Sequence, residues 1–183
     1  MLLSSCSQHR GVSSATHPAV QPFMERVQAY MELHGKLEKQ VPPLKDKAEP
    51  EQIAAHKQAL AAAIRAARKD ARPGDIFVPA ARPWFIQAVR ASVKGAGGAA
   101  ERRTIMDENP RKPREPTQVQ VKVAVNAVYP AAAPLSTVPP TLLLELPTLP
   151  PELEYRFVGR ALILRDVKAN LIVDYIPNVL PPA

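Results

Sequence analysis

The run Leu153–Ile176, LEYRFVGRALILRDVKANLIVDYI, constrains this chain more than any other stretch. Leu153, Tyr155 and Phe157 alternate with Glu154 and Arg156, so a strand here sends apolar side chains to one face and charges to the other. Gly159 permits a tight reversal because it carries no steric penalty at positive φ. Ala161 to Leu164 is continuously apolar, which fits a central strand buried on both faces, and Asp166 to Asn170 supplies a second, polar turn. Leu171 to Ile176 follows as a third strand. The pattern predicts a three-stranded antiparallel meander, ended by Pro177, Pro181 and Pro182, which cannot donate to a ladder.

Two further stretches extend the sheet. Val119, Val121, Val123 and Val125 alternate with Gln120, Lys122, Ala124 and Asn126, a clear period-two strand. Leu142–Leu146, hemmed by Pro140 and Pro147, is a candidate edge strand or extended segment. A sheet of four or five antiparallel strands is expected, with one face packed on helices.

Those helices come from the first half. Phe23, Val27, Tyr30 and Leu37 follow helical spacing from Pro22 to about Lys39, and Pro42-Pro43 stops the run. Alanine-rich sequence from Pro50 to Arg72 forms a second helix, with Ile53, Leu60, Ile64 and Ala67 on one face. Trp84, Phe85, Ala88, Val89 and Val93 share a face of a short third helix from about Ala80 to Lys94, and its aromatic pair is expected to plug the junction of helices and sheet. Gly95-Ala96-Gly97-Gly98 ends that helix. No lysine-serine pair follows these glycines and no strand precedes them, so they do not make a phosphate-binding loop. Glu101 to Pro116 is charged and proline-punctuated and is expected to be irregular.

The organisation is therefore α+β. Residues 1–17 form a flexible N-terminus and 18–95 a helical half of two longer helices and one short. A linker follows over 96–117, then an antiparallel β half over 118–183 that forms one domain with the helices.

The 21 prolines, at many separate sites with a proline-rich stretch from Pro130 to Pro140, shorten elements and stiffen loops. The net charge of +7 is also uneven. Lys57, Arg65, Arg68, Lys69, Arg72, Arg82, Arg90 and Lys94 face only Asp70 and Asp75 in their segment, while the β half is close to neutral. Arg65, Arg68, Lys69 and Arg72 make a basic stripe at the end of the second helix, suited to phosphates, lipid head groups or an acidic partner. The bland reading is a solvated face whose last-turn cations favour the helix dipole. No aromatic residues interleave with the stripe, which argues against stacking on single-stranded nucleic acid.

Leu3-Ser4-Ser5-Cys6 matches a bacterial lipobox, in which the cysteine is lipidated after signal cleavage. Only Met1, Leu2 and Leu3 stand where the apolar signal stretch belongs, so this reading expects further residues upstream. On the other reading Cys6 is a chance cysteine in a floppy N-terminus. As the sole cysteine it forms no internal disulfide. No apolar run approaches membrane-spanning length.

Catalytic signatures are missing. The four histidines, His9, His17, His34 and His56, fall outside any metal-ligand spacing, and His34 among apolar positions reads as a core residue. There is no nucleophile elbow, paired-cysteine zinc site or dinucleotide fingerprint, so neither cofactor nor metal is expected. Asp166, Asn170 and Asp174 have oxygens of the kind calcium takes, though turn chemistry explains the first two more simply. A hydrolase site near Trp84 and the meander turns is the weakest option.

Ala71–Phe77, Leu153–Arg160, Leu164–Val167 and Ala169–Asp174 resemble a loose group of uncharacterised bacterial proteins predicted to be exported. The resemblance carries no activity and implies an envelope location. The leading expectation is a non-enzymatic envelope protein, periplasmic or lipid-anchored, with an interaction or structural role and a protein or other envelope component as partner. The alternative is a cytoplasmic binder of nucleic acid or another acidic ligand through the basic stripe.

Overall fold

A computed structural model gives the fold and describes residues 17–44, 47–94, 97–107, 109 and 119–182. Cys6 and its tetrapeptide, the expected tether up to Thr16, and residues 110–118 lie outside them. The element order is α1 (Gln21–Glu38), α2 (Pro50–Ala67), α3 (Arg82–Ser92), α4 (Gly98–Asp107), β1 (Ala127–Val128), α5 (Pro140–Glu145), β2 (Leu153–Val158), β3 (Ala161–Asp166) and β4 (Leu171–Ile176). The class is α+β, helices preceding an antiparallel sheet of strand order β1-β4-β3-β2.

The meander follows the alternation in the sequence. Tyr155 pairs with Leu164 and Phe157 with Leu162, and Leu162 in turn opposes Ile176. Asn170 turns the chain between β3 and β4 at φ 54°, a conformation asparagine tolerates better than most residues. Because side chains alternate across a strand, the sheet has two buried faces. Leu162, Leu164, Leu171 and Val173 join the main core with Phe23, Leu60, Ile64 and Phe85 from the helices. Ile163 and Ile172 point the other way, into a smaller cluster with Val121, Tyr129 and Ala133. That second cover explains why β3 is apolar on both sides.

Helix α1 buries Phe23, Val27, Tyr30 and His34, a stripe at helical spacing. In α2 the Glu49 N–H donates to Gln52 Oε1 (3.0 Å), satisfying a donor that the helix start leaves without a partner. The junction between helices and sheet is filled with rings. Phe23, Phe77 and Phe85 lie 4.8–5.1 Å apart between centroids, and Tyr155 from β2 sits 6.2 Å from Phe85. Trp84 lies against the edge of this cluster, 5.1 Å from Phe85.

Four sequence expectations are corrected. Helix α2 stops at Ala67 rather than Arg72, because the carbonyl of Arg68 accepts from Asn126 Nδ2 (2.7 Å) and the chain leaves the helical path. Part of the expected linker is helical. Ala99 to Arg103 are good helix formers, Ile105 is buried, and α4 docks through Glu101, which accepts from Ser92 Oγ and Thr141 Oγ1 (both 2.6 Å). Val119–Val125 forms no ladder. Its alternation buries Val121 on the second face of the sheet, and only after Asn126 turns at φ 61° does the chain pair with β4, as β1. Leu142–Leu146 is helical over most of its length, not extended: Pro140 occupies a first-turn position, Leu142 is buried, and Leu143 and Leu144 face solvent.

Candidate anion-binding groove

The basic stripe is split by the end of α2. Arg65 and Lys69 are exposed, and both line an open groove of about 850 Å³ whose other wall is the segment 122–128, including Lys122 and Val128. Ala62 and Ala66 lie between the cations on the helix side. No carboxylate pairs with Arg65, Lys69 or Lys122 among the described residues. Three like charges around one concave surface raise the local concentration of anions.

Arg68 does different work. Its Nη1 donates to Asn126 Oδ1 (3.2 Å), its Nη2 to the Val173 carbonyl (3.0 Å), and its guanidinium lies 5.1 Å from the Tyr30 ring centroid. Burial pulls its pKa below the usual arginine value, against the opposing influence of Tyr30, Asp174, Asp75 and Asp166. Arg72 is exposed but does not line the groove. Its backbone N–H donates to Asp75 Oδ2 (2.8 Å), closing the turn expected at Pro73-Gly74-Asp75. The groove therefore gathers two of the four stripe residues, Arg65 and Lys69, and adds Lys122, which the sequence placed on a separate strand.

Buried polar groups tie the helices and the loop after α2 to the sheet. Asp174 on β4 is fully buried and accepts from the N–H groups of Gly74 (2.9 Å), Ile76 (2.8 Å) and Phe77 (2.7 Å), tying the chain after α2 to the sheet. Gly74 makes this approach at φ 100°, a region side-chain-bearing residues rarely adopt. Asp166 is equally buried: its Oδ1 accepts from the Ala169 N–H (2.7 Å) and its Oδ2 from the Tyr30 hydroxyl (2.6 Å). Burial, with the Asp166 charge added, pushes the Tyr30 hydroxyl far above the usual phenol range. His34 is 1% exposed, with Nε2 3.3 Å from Asp166 Oδ2 but outside hydrogen-bonding geometry. The three oxygen-bearing residues of the meander do not converge. Asp166 and Asn170 serve the β3–β4 turn and Asp174 the loop after α2, and no cluster of three or more metal-binding side chains occurs among the described residues.

The chain covers part of both remaining stretches of sheet edge itself. On β2, Ser136 Oγ donates to the Phe157 carbonyl (2.5 Å) and accepts from the Phe157 N–H (3.0 Å). On β4, beyond the end of β1, Arg68 takes the Val173 carbonyl.

Fold and groove together define an α+β protein with a basic surface groove beside the outer strand of its sheet. Comparison with protein-family models, with curated proteins and with solved structures finds no match to the chain. Among the described residues no helix is long and apolar enough to cross a membrane.

Proposed function

We propose that this protein is a binding module that takes an anionic partner along the groove between α2 and the segment 122–128. The observation that carries this reading is the meeting of Arg65, Lys69 and Lys122 at one concave surface whose described lining contains no carboxylate. Positive groups gathered in this way around one concave surface attract anions and bind them in a salt-dependent manner. Asp166 and Asp174 are fully buried and accept hydrogen bonds from the chain, which gives both a structural role.

Two labelled probes, a polyglutamate chain and a single-stranded oligonucleotide, test the reading by fluorescence anisotropy. At least one should bind, weaken as salt rises, and weaken further in the combined variant Arg65→Ala, Lys69→Ala, Lys122→Ala. Failure of both probes to bind, or binding indifferent to the three substitutions, defeats the proposal. An envelope location is a separate proposal resting on Leu3–Cys6 and on the resemblance to exported proteins. Recovery only in the cytosol, when the gene is expressed with its native upstream sequence, would defeat it.

A further inference from the structure

We infer that the partner is an extended acidic peptide, and that it binds by adding a strand to the outer edge of β1. This deepens the anionic-partner reading and rests on it. The geometry begins at Tyr129, whose N–H donates to the Asn170 carbonyl (2.8 Å) and whose carbonyl accepts from Asn170 Nδ2 (2.5 Å). Both Tyr129 backbone groups therefore face β4. In an antiparallel ladder successive residues direct their N–H and C=O to opposite sides, so Val128 directs its pair away from β4. Val128 is 49% exposed and lines the groove.

An outward donor and acceptor on an outer strand form a template for another strand. Ser136 occupies the Phe157 position of the β2 edge and Arg68 the Val173 carbonyl of β4, whereas among the described residues no group pairs with the outward N–H or C=O of Val128. The charge distribution selects the incoming strand. Lys122 stands on the strand side of the groove and Arg65 and Lys69 on the helix side, so carboxylates on either face of an extended peptide meet a cation. Ala62 and Ala66 leave room on the helix wall for a chain whose backbone must lie close to β1. A nucleic acid would satisfy the cations but leave the Val128 backbone pair unused, and among the described residues no aromatic ring lines the groove to stack on its bases.

The test uses the full chain and a labelled octapeptide of alternating glutamate and valine. Its counterpart has the same sequence with alternate backbone nitrogens methylated, which removes the donors on one edge while keeping every charge. A second counterpart carries the methyl groups on the other set of nitrogens. The unmodified peptide should bind, and one methylated form, not both, should lose roughly tenfold or more in affinity, as expected for lost backbone hydrogen bonds. Val128→Pro should weaken the unmodified peptide similarly, with circular dichroism and urea unfolding confirming that the variant folds. Equal binding of all three peptides, still dependent on Arg65 and Lys69, overturns strand addition while leaving the anionic groove intact. Binding of the oligonucleotide alone likewise overturns the peptide assignment but keeps the groove. If neither peptide nor oligonucleotide binds, both readings fall.

Discussion

Replacing Asp174 by asparagine isolates the contribution of one buried carboxylate without changing the shape of the core. Asp174 Oδ1 accepts from the N–H groups of Gly74 (2.9 Å) and Tyr175 (2.8 Å), and Oδ2 from those of Ile76 (2.8 Å) and Phe77 (2.7 Å). An asparagine amide offers one oxygen and one NH2 group. Whichever way it turns, two N–H groups lose their acceptor and face a donor. The better orientation keeps the oxygen on the more buried Ile76 and Phe77 pair and leaves Gly74 and Tyr175 opposed. At about 1–3 kcal/mol for each buried group left unpaired, discounted because this second pair is only part-buried, Asp174→Asn should cost about 2–4 kcal/mol. With an urea m-value of about 2 kcal/mol/M for a chain of this size, the unfolding midpoint should fall by about 1–2 M at constant slope. Hydrogen exchange adds a local reading, in which the amides of Gly74 and Tyr175 lose protection more than those of β3. A midpoint within about 0.3 M of the parent, or unchanged protection at Gly74 and Tyr175, would refute the claim that this carboxylate holds the loop.

Ser136→Ala leaves both backbone groups of Phe157 without their partner, so it should destabilise by about 1–3 kcal/mol and open the β2 edge, read as faster concentration-dependent aggregation. Tyr30→Phe keeps the ring but removes the hydroxyl that donates to fully buried Asp166 (2.6 Å); thermal or urea unfolding should register a loss of about 1.5–3 kcal/mol, and parent-like stability would deny that bond a structural role. Glu154 tests the pH dependence. Burial raises its pKa, but hydrogen bonds from Arg156 and Arg165 outweigh burial and hold it below the usual value of 4.5. A folded-state pKa depressed in this way stabilises the protein above the unfolded value and loses that contribution as pH falls through the folded one. Glu154→Gln should therefore flatten the acid limb of the stability profile below about pH 4.5, and an unchanged limb would show that the ion pairs contribute nothing.

How much of this was legible in the sequence depends on the range of the forces involved. The meander was, because Leu153–Ile176 carries alternation, a glycine reversal and a polar turn within 24 residues, all of them local. Helices α1 and α2 were legible for the same reason. Segment Val119–Val125 showed the right period but not the right partner, since alternation reports one buried face and is silent on whether a ladder forms. The leucine run at α5 has no period at all, and the proline at its first turn decided in favour of helix. The stripe carries its own signal of which residues turn inward. Leu60, Ile64 and Arg68 recur every four residues, so Arg68 continues the buried face of α2 and was marked for the interior, while Arg65 and Lys69 recur on an exposed one. Lys122 had no such signal, because its approach to α2 depends on how the segment crosses the sheet.

That crossing links stability to the proposed function. β1 is only two residues long because Asn126, at φ 61°, bends the chain so that its side chain can exchange hydrogen bonds with Arg68. The same exchange ends α2 and turns the Arg68 guanidinium onto the Val173 carbonyl, closing the β4 edge at the point where β1 stops. Moving Arg68 inward removes a cation from the stripe, yet it fixes the spacing between α2 and the strand that makes a groove at all. Arg68 and Asn126 are thus positioning residues for a surface they do not charge. Arg68→Lys should show this: a lysine keeps the charge but cannot span both Asn126 Oδ1 and the Val173 carbonyl with a planar fork. The variant should bind anionic probes more weakly than the parent at unchanged net charge, with the amide resonances of residues 122–128 displaced. Parent-like binding with displaced resonances would separate the anchor from the site, and the groove would then owe its shape to the sheet alone.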